Sequence, residues 1–330
     1  MNKSIILFVI IGIIVIGGVL SYVSTIKIDK DPSKDSFKIG IVKWVTSEQF
    51  DKNISEFKRY VELDEHFNEN NLEYLEDISY ANKSKHQEIV QKFIDEKVDL
   101  IFTQTTSGTL IAKEMTRDIP IVFSVVTYPV EAGIIDDLSH SGNNLVGTRN
   151  YVPIETQFDY FTEIFPIKKL GFVHRLNEPN SVIQYNEAKE YGSNNGIEII
   201  DIVGTSLEDL ESLLSENISK VDSLYQACDS LVQSGGEELA IKIATEKNKP
   251  TFSCNHDGVI KGALAGVVAD FIDIGQLSGS QAHWILEGSN FDFLKTESSS
   301  PHKILNLKTA NSLGIELANE MKYSGAELID

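Results

Sequence analysis

A chain of 330 residues with 42% apolar and 24% charged side chains has room for two globular lobes. Its formal charge of −20 argues against a nucleic-acid partner, because no basic stripe is available to neutralise phosphates. Two cysteines are too few for a disulfide scaffold, and seven scattered histidines without HExxH or CxxC spacing point to no metal or cofactor.

Residues 5–23 (IILFVIIGIIVIGGVLSYV) form an unbroken apolar run preceded by a single charge, Lys3. At about 1.5 Å per residue this run spans roughly 28 Å, the depth of a hydrocarbon core. It reads as an uncleaved N-terminal transmembrane anchor over residues 1–24, with a cleaved signal as the alternative, since a signal's apolar region is ordinarily shorter. Either puts the remainder outside the cytoplasm, in agreement with the positive-inside rule. Residues 25–36 are polar and charged, with one proline, and read as a linker. Asn53, Asn82 and Asn217 each open an N-x-S acceptor pattern, which is weak evidence for glycosylation.

From residue 37 strands and helices alternate. A strand is expected at 37–45, then a helix whose Phe50, Ile54, Phe57 and Val61 recur at helical spacing. A more polar strand follows at 72–79, then a helix marked by Ile89, Val90, Phe93 and Ile94 that ends near Lys97, and a strand at 99–104 (DLIFTQ). A helix then runs through Met115, and residues 120–126 make an apolar strand. Strict βα alternation implies a parallel sheet with helices on both faces and ligands at the carboxyl ends of the strands. Three candidate segments lie at such ends: Trp44-Val45-Thr46, Gln104-Thr105-Thr106-Ser107, and Ser124 to Tyr128. The second gathers hydroxyls and free amides at a helix start, a natural cradle for a carboxylate. It contains no GxxxxGK, so a nucleotide-phosphate loop is not supported.

The pattern restarts after Thr148. A helix is expected at 157–165 and strands at 169–174, 196–203, 222–227 and 251–254, with helices between them. Asn180 and Ser181 open a helix at one strand end, and Asp229 follows another, placed to meet a ligand ammonium. Cys228 and Cys254 end apolar segments; a bridge is open, and two buried free thiols are the expectation. Residues 262–272 are small and apolar, fit to cross between lobes, and helices at 274–288 and 309–320 complete the chain. The expected fold class is therefore α/β, with two doubly wound parallel-sheet lobes joined by a multi-crossing hinge. The first lobe takes residues 37–149 and about 268–330, the second residues 150–267.

Several motifs carry a resemblance. Val126-Thr127-Tyr128-Pro129-Val130-Glu131-Ala132-Gly133 is similar to V-T-D-P-V-x-A-G, and Asn144-Leu145-Val146-Gly147 to N-x-T-G. Glu178-Pro179-Asn180-Ser181 matches E-x-N-S, residues 262–265 match G-A-L-A, and Asn306, Ala310 and Leu313-Gly314-Ile315 match a terminal N-x-x-x-A-x-x-L-G-I. Over residues 37–320 the chain resembles the substrate-binding proteins of ABC transporters, of the tryptophan- and tyrosine-binding kind. The resemblance implies the type I periplasmic-binding-protein (Venus-flytrap) fold. It also implies an extracytoplasmic, non-enzymatic monomer that binds a small carboxylate-bearing, amino-acid-like molecule in the interlobe cleft and partners an ABC permease. Carried over residue by residue, it places cleft contacts at Trp44, Val45, Thr105, Thr106, Ser124, Asn180, Ser181 and Asp229. Tyr128 stands where the family has aspartate, and is expected, with Trp44, to give aromatic stacking area. A membrane-anchored sensor on the same fold is the rival. An enzyme has little support, in the absence of GxSxG and GxGxxG.

Overall fold

The computed structural model describes residues 36–63, 67, 70–289, 291, 294–317 and 325–330. The expected anchor, and the linker up to residue 35, lie outside them. No helix among the described residues is long and apolar enough to cross a membrane.

Apolar runs flanked by polar turns become the strands of two sheets. In chain order the first lobe contains β1 (Phe37–Lys43), α1 (Glu48–Val61), β2 (Leu72–Ile78), α2 (Lys83–Asp95), β3 (Leu100–Gln104), α3 (Thr106–Met115), β4 (Ile121–Ser124) and β5 (Leu145–Arg149). The second contains α4 (Ile154–Ile164), β6 (Lys169–Arg175), α5 (Pro179–Asn195), β7 (Glu198–Gly204), α6 (Leu207–Asn217), β8 (Ser223–Gln226), α7 (Glu237–Thr245), β9 (Thr251–Ser253), α8 (His256–Ile260) and β10 (Ala265–Val268). The chain then returns as α9 (Phe271–Leu286) and β11 (Glu297–Ser298), and leaves again as β12 (His302–Asn306), α10 (Leu307–Ser312) and β13 (Glu327–Ile329).

The sheet orders are β11-β5-β4-β3-β1-β2 and β13-β12-β10-β9-β8-β6-β7. Every pairing is parallel except β10 with β12. Strands β3, β4, β8, β9 and β10 are buried along their whole length, as parallel strands covered on both faces must be.

The chain passes between the sheets at residues 150–153, 269–270 and 299–301. Three crossings between the same two sheets favour hinge bending over sliding. The end of the chain differs from the expectation: β12 pairs with β10 and β13 with β12, so these two strands join the second sheet. A five-residue strand carries no mark of which sheet will take it, and here the antiparallel partner decides.

Helix α9 lies tightly on α1. A Cβ at Gly275 would come within 2.4 Å of the Asn53 carbonyl, and one at Gly279 within 2.6 Å of the Phe57 carbonyl, so neither position has room for a side chain. This approach lets Asn53 act as a tie beneath the cleft. Its amide donates to the Phe271 carbonyl at 2.9 Å, while its carbonyl accepts from Gln104 at 2.9 Å and Ser124 at 3.1 Å. Four elements are thus fixed by one buried side chain, and the N-x-S pattern at Asn53 is inaccessible to a glycosyl donor.

Candidate functional site

The carboxyl ends of β3, β4, β6 and β8 converge on a narrow crevice between the lobes. It is bordered by Phe50, Thr105, Thr106, Val125 and Thr127 of the first lobe, Asn150 at the first crossing, and Glu178, Asn180, Cys228, Asp229, Ser230 and Gln233 of the second. In this closed arrangement it has free room of about 10 Å³, the space of one water, so any larger ligand must enter by hinge opening. A much larger cavity, a vestibule of about 800 Å³, lies at the mouth. Val45, Tyr80 and Ala81 line it from one side, and Arg175, Leu207, Leu231 and Ile260 from the other. The charged and strained groups lie in the crevice, and there the chemistry is concentrated.

On the first-lobe side the chain turns sharply from β3 into α3. Thr105 has φ 70° and ψ 157°, a region that ordinarily needs glycine, at a cost of about 1–3 kcal/mol. Val125, also bordering the crevice, has φ 55°. The Thr105 amide is held by the Ser124 carbonyl at 3.1 Å, and its hydroxyl accepts from the Gly108 amide at 3.3 Å. Thr109 closes the first turn onto the Thr105 carbonyl. Among the described residues the amides of Thr106 and Ser107 have no intramolecular acceptor. They form the positive end of the helix, beside the crevice.

The second-lobe side is acidic. Asp229 follows β8, and its carboxylate accepts from the amides of Arg175 (2.8 Å), Leu231 (3.0 Å) and Val232 (2.9 Å). Burial, then the charge of Glu178, pushes Asp229 up to about 8, against the pull of its three amide donors. Glu178, at the start of α5, accepts from the Ser230 amide at 3.0 Å and its hydroxyl at 2.5 Å, with the Arg175 guanidinium at 3.7 Å. Burial raises its carboxyl as well. Asn180 donates to the Cys228 carbonyl, while its own side-chain oxygen is buried without a protein partner. Two buried carboxylates of one lobe and a helix N-terminus of the other thus border the same crevice: one side suits an ammonium, the other a carboxylate.

Of the sequence-predicted residues, Thr105, Thr106, Asn180 and Asp229 border the crevice and Val45 borders the vestibule. The others sit elsewhere. Trp44 is buried edge-on against His86, at 5.4 Å between ring centroids. The Ser124 hydroxyl belongs to the Asn53 network. Ser181, expected as a donor, gives its hydroxyl to the carbonyls of Arg175 and Glu178. Tyr128 packs on Tyr151 and donates to Glu187 at 2.5 Å, outside the crevice. Sequence reasoning missed Glu178 as a site charge, although its motif was in view. Its signal was an acid at a strand end directly before the helix-starting Pro179.

The expectation of free thiols is also corrected: Cys228 and Cys254 form a disulfide. They follow the paired ends of β8 and β9, where Gln226 lies beside Ser253, so register brings them together. At a sequence separation of 26, the bridge removes chain entropy from the unfolded state worth about 3–4 kcal/mol. The Cys228→Ser, Cys254→Ser protein should be less stable by about that amount in urea denaturation. An unchanged midpoint would mean the bridge constrains nothing.

The profile of ABC transporter substrate binding proteins matches residues 38–329. A tyrosine-binding protein of Clostridioides difficile (strain R20291) is 29% identical over 298 residues, which is 89% of this chain and 86% of that one. Two solved structures superpose with a TM-score of 0.85: a conserved domain protein from Vibrio cholerae, 24% identical, and the ABC domain in complex with L-Trp from Streptococcus pneumonia, 23% identical. Each alignment covers 89% of this chain and 100% of the other, and these two show the fold. A ligand-free, open substrate binding protein with adhesive properties from Clostridium difficile is 28% identical with a TM-score of 0.69, over 89% of this chain and 99% of that one.

Proposed function

We infer the ligand from one premise: this chain belongs to the ABC transporter substrate binding protein family. It is an extracytoplasmic solute-binding protein that closes two lobes over a small molecule. The ligand we propose is an α-amino acid with a large apolar or aromatic side chain. The observation that carries this is that Asp229 and Glu178 border the same crevice as the α3 N-terminus, from the opposite lobe. An α-ammonium would lie against the carboxylates and an α-carboxylate against the amides of Thr106 and Ser107. The side chain would extend toward the vestibule, whose walls include Tyr80, Leu207, Leu231 and Ile260. The tyrosine-binding relative supports the same class.

The further parts of this reading are delivery to a membrane permease as a monomer, tethering by residues 5–23, and lobe boundaries at the three crossings. The Cys228–Cys254 bridge suits an oxidising compartment. Isothermal titration against the common amino acids, with tyramine and 3-(4-hydroxyphenyl)propionate alongside L-tyrosine, tests the ligand class. Binding is expected only where ammonium and carboxylate are both present. Tyramine binding as tightly as tyrosine would remove the helix terminus from the site.

A further inference from the structure

The loop after β4 in the first lobe carries Tyr128, and α5 in the second carries Glu187. The Tyr128 hydroxyl donates to Glu187 Oε2 at 2.5 Å, joining the lobes on the hinge side. The tyrosine is 3% exposed. Its ring meets Tyr151 edge-on at 5.4 Å, and the Arg149 guanidinium lies 4.9 Å from the Tyr151 centroid. Tyr151 is in the first crossing and Arg149 ends β5 just before it, so Tyr128 is fixed where the hinge turns. Neither Tyr128 nor Glu187 borders the crevice or the vestibule, and Glu187 instead faces a surface groove beside Tyr151 and Glu190. A second interlobe bond, Gln49 to His256 at 3.2 Å, joins α1 to α8.

We propose that the Tyr128–Glu187 hydrogen bond is an interlobe latch that slows ligand release without touching the ligand. It exists only when the lobes meet, so it stabilises the closed form whatever molecule is enclosed. Entry and escape both require opening, so holding the lobes together acts on ligand release. Tyr128 is buried while Glu187 is half-buried; a bond from one to the other is of the charge-assisted kind, and its loss should speed dissociation about tenfold. The latch rests on closure over a ligand and not on the amino-acid class.

The test uses the Tyr128→Phe, Glu187→Ala and double variants. Dissociation of L-tyrosine, L-tryptophan and L-methionine is followed by stopped-flow fluorescence. Interlobe distances without ligand are read from nitroxides at Glu88→Cys and Glu211→Cys, exposed positions on opposite lobes. Each variant should release every ligand about tenfold faster, the double no faster than either single, with association no slower and the distances longer. A loss differing more than about threefold between ligands would make Tyr128 a ligand contact and overturn the latch, as would unchanged rates and distances. Should none of the three amino acids bind the parent, the ligand reading fails and the distances alone decide the latch.

Discussion

Replacing Asp229 by asparagine should weaken α-amino-acid binding about a hundredfold while leaving the fold in place. The carboxylate is fully buried, and an ammonium brought against it loses its water for that single compensation. Removing one partner of a buried pair costs about 3–5 kcal/mol when nothing else answers the remaining charge. Glu178 lies close enough to raise the Asp229 carboxyl and would answer part of it, so about 2.7 kcal/mol, a factor of one hundred, is the reasoned loss. For stability, two effects oppose. Asparagine keeps an acceptor for the Leu231 and Val232 amides, but its NH₂ would face the Arg175 amide and leave that donor unpaired, at about 1–3 kcal/mol. Against this, a buried acid held far from its ordinary pKa is gone. The two are of similar size, so titration calorimetry should record the affinity loss with little change in melting temperature. Glu178→Gln is the companion, since glutamine can accept from the Ser230 amide and donate to its hydroxyl. Losses in the double variant should fall short of additive, because each carboxylate substitutes for part of the other. Unchanged affinity in Asp229→Asn would remove the ammonium from this pocket.

Asp229 was legible because its signal is local. An apolar strand over 222–227 ends, and an acid follows at the position where parallel sheets present ligand groups. Thr105 and Thr106 were legible for the same reason, a buried strand running into a helix start. What the sequence hid depends on contacts between distant residues. Glu178 becomes a site charge only because Ser230, 52 positions on, orients it. Tyr128 was read as a cleft wall from its place after β4, yet its partner is 59 residues away on the other lobe, where no periodicity refers to it. The disulfide required knowing that β8 and β9 are neighbours in register. Residues 302–306 looked like an ordinary extended end, and only the antiparallel pairing with β10 assigned them to the second sheet. Local pattern sets the elements, while pairing across the sheet and across the hinge decides which side chains meet.

Binding should release a proton and strengthen with pH, and the ligand-free protein should lose stability over the same interval. Burial lifts the Asp229 carboxyl from an ordinary 3.8 to about 8, and raises Glu178 in the same direction. The charged groups facing the pair are Arg175, 3.7 Å from Glu178, and the carboxylates themselves. Between about 4 and about 8 the folded protein therefore holds more protons than the unfolded chain. Stability falls with rising pH wherever the native state is the more protonated. The contribution is thus complete below about pH 4 and is lost as pH rises through about 8, so the melting temperature should decline across this window and decline less in Asp229→Asn. An incoming ammonium favours the ionised acid and must displace its proton. Affinity should rise by up to about tenfold per pH unit below 8 and level above it. Calorimetry at pH 7 in buffers of differing ionisation enthalpy should read close to one proton released per ligand. Binding that is independent of pH from 5 to 8, with no buffer dependence, would mean that Asp229 is already ionised in the empty crevice and that burial fails to hold its proton.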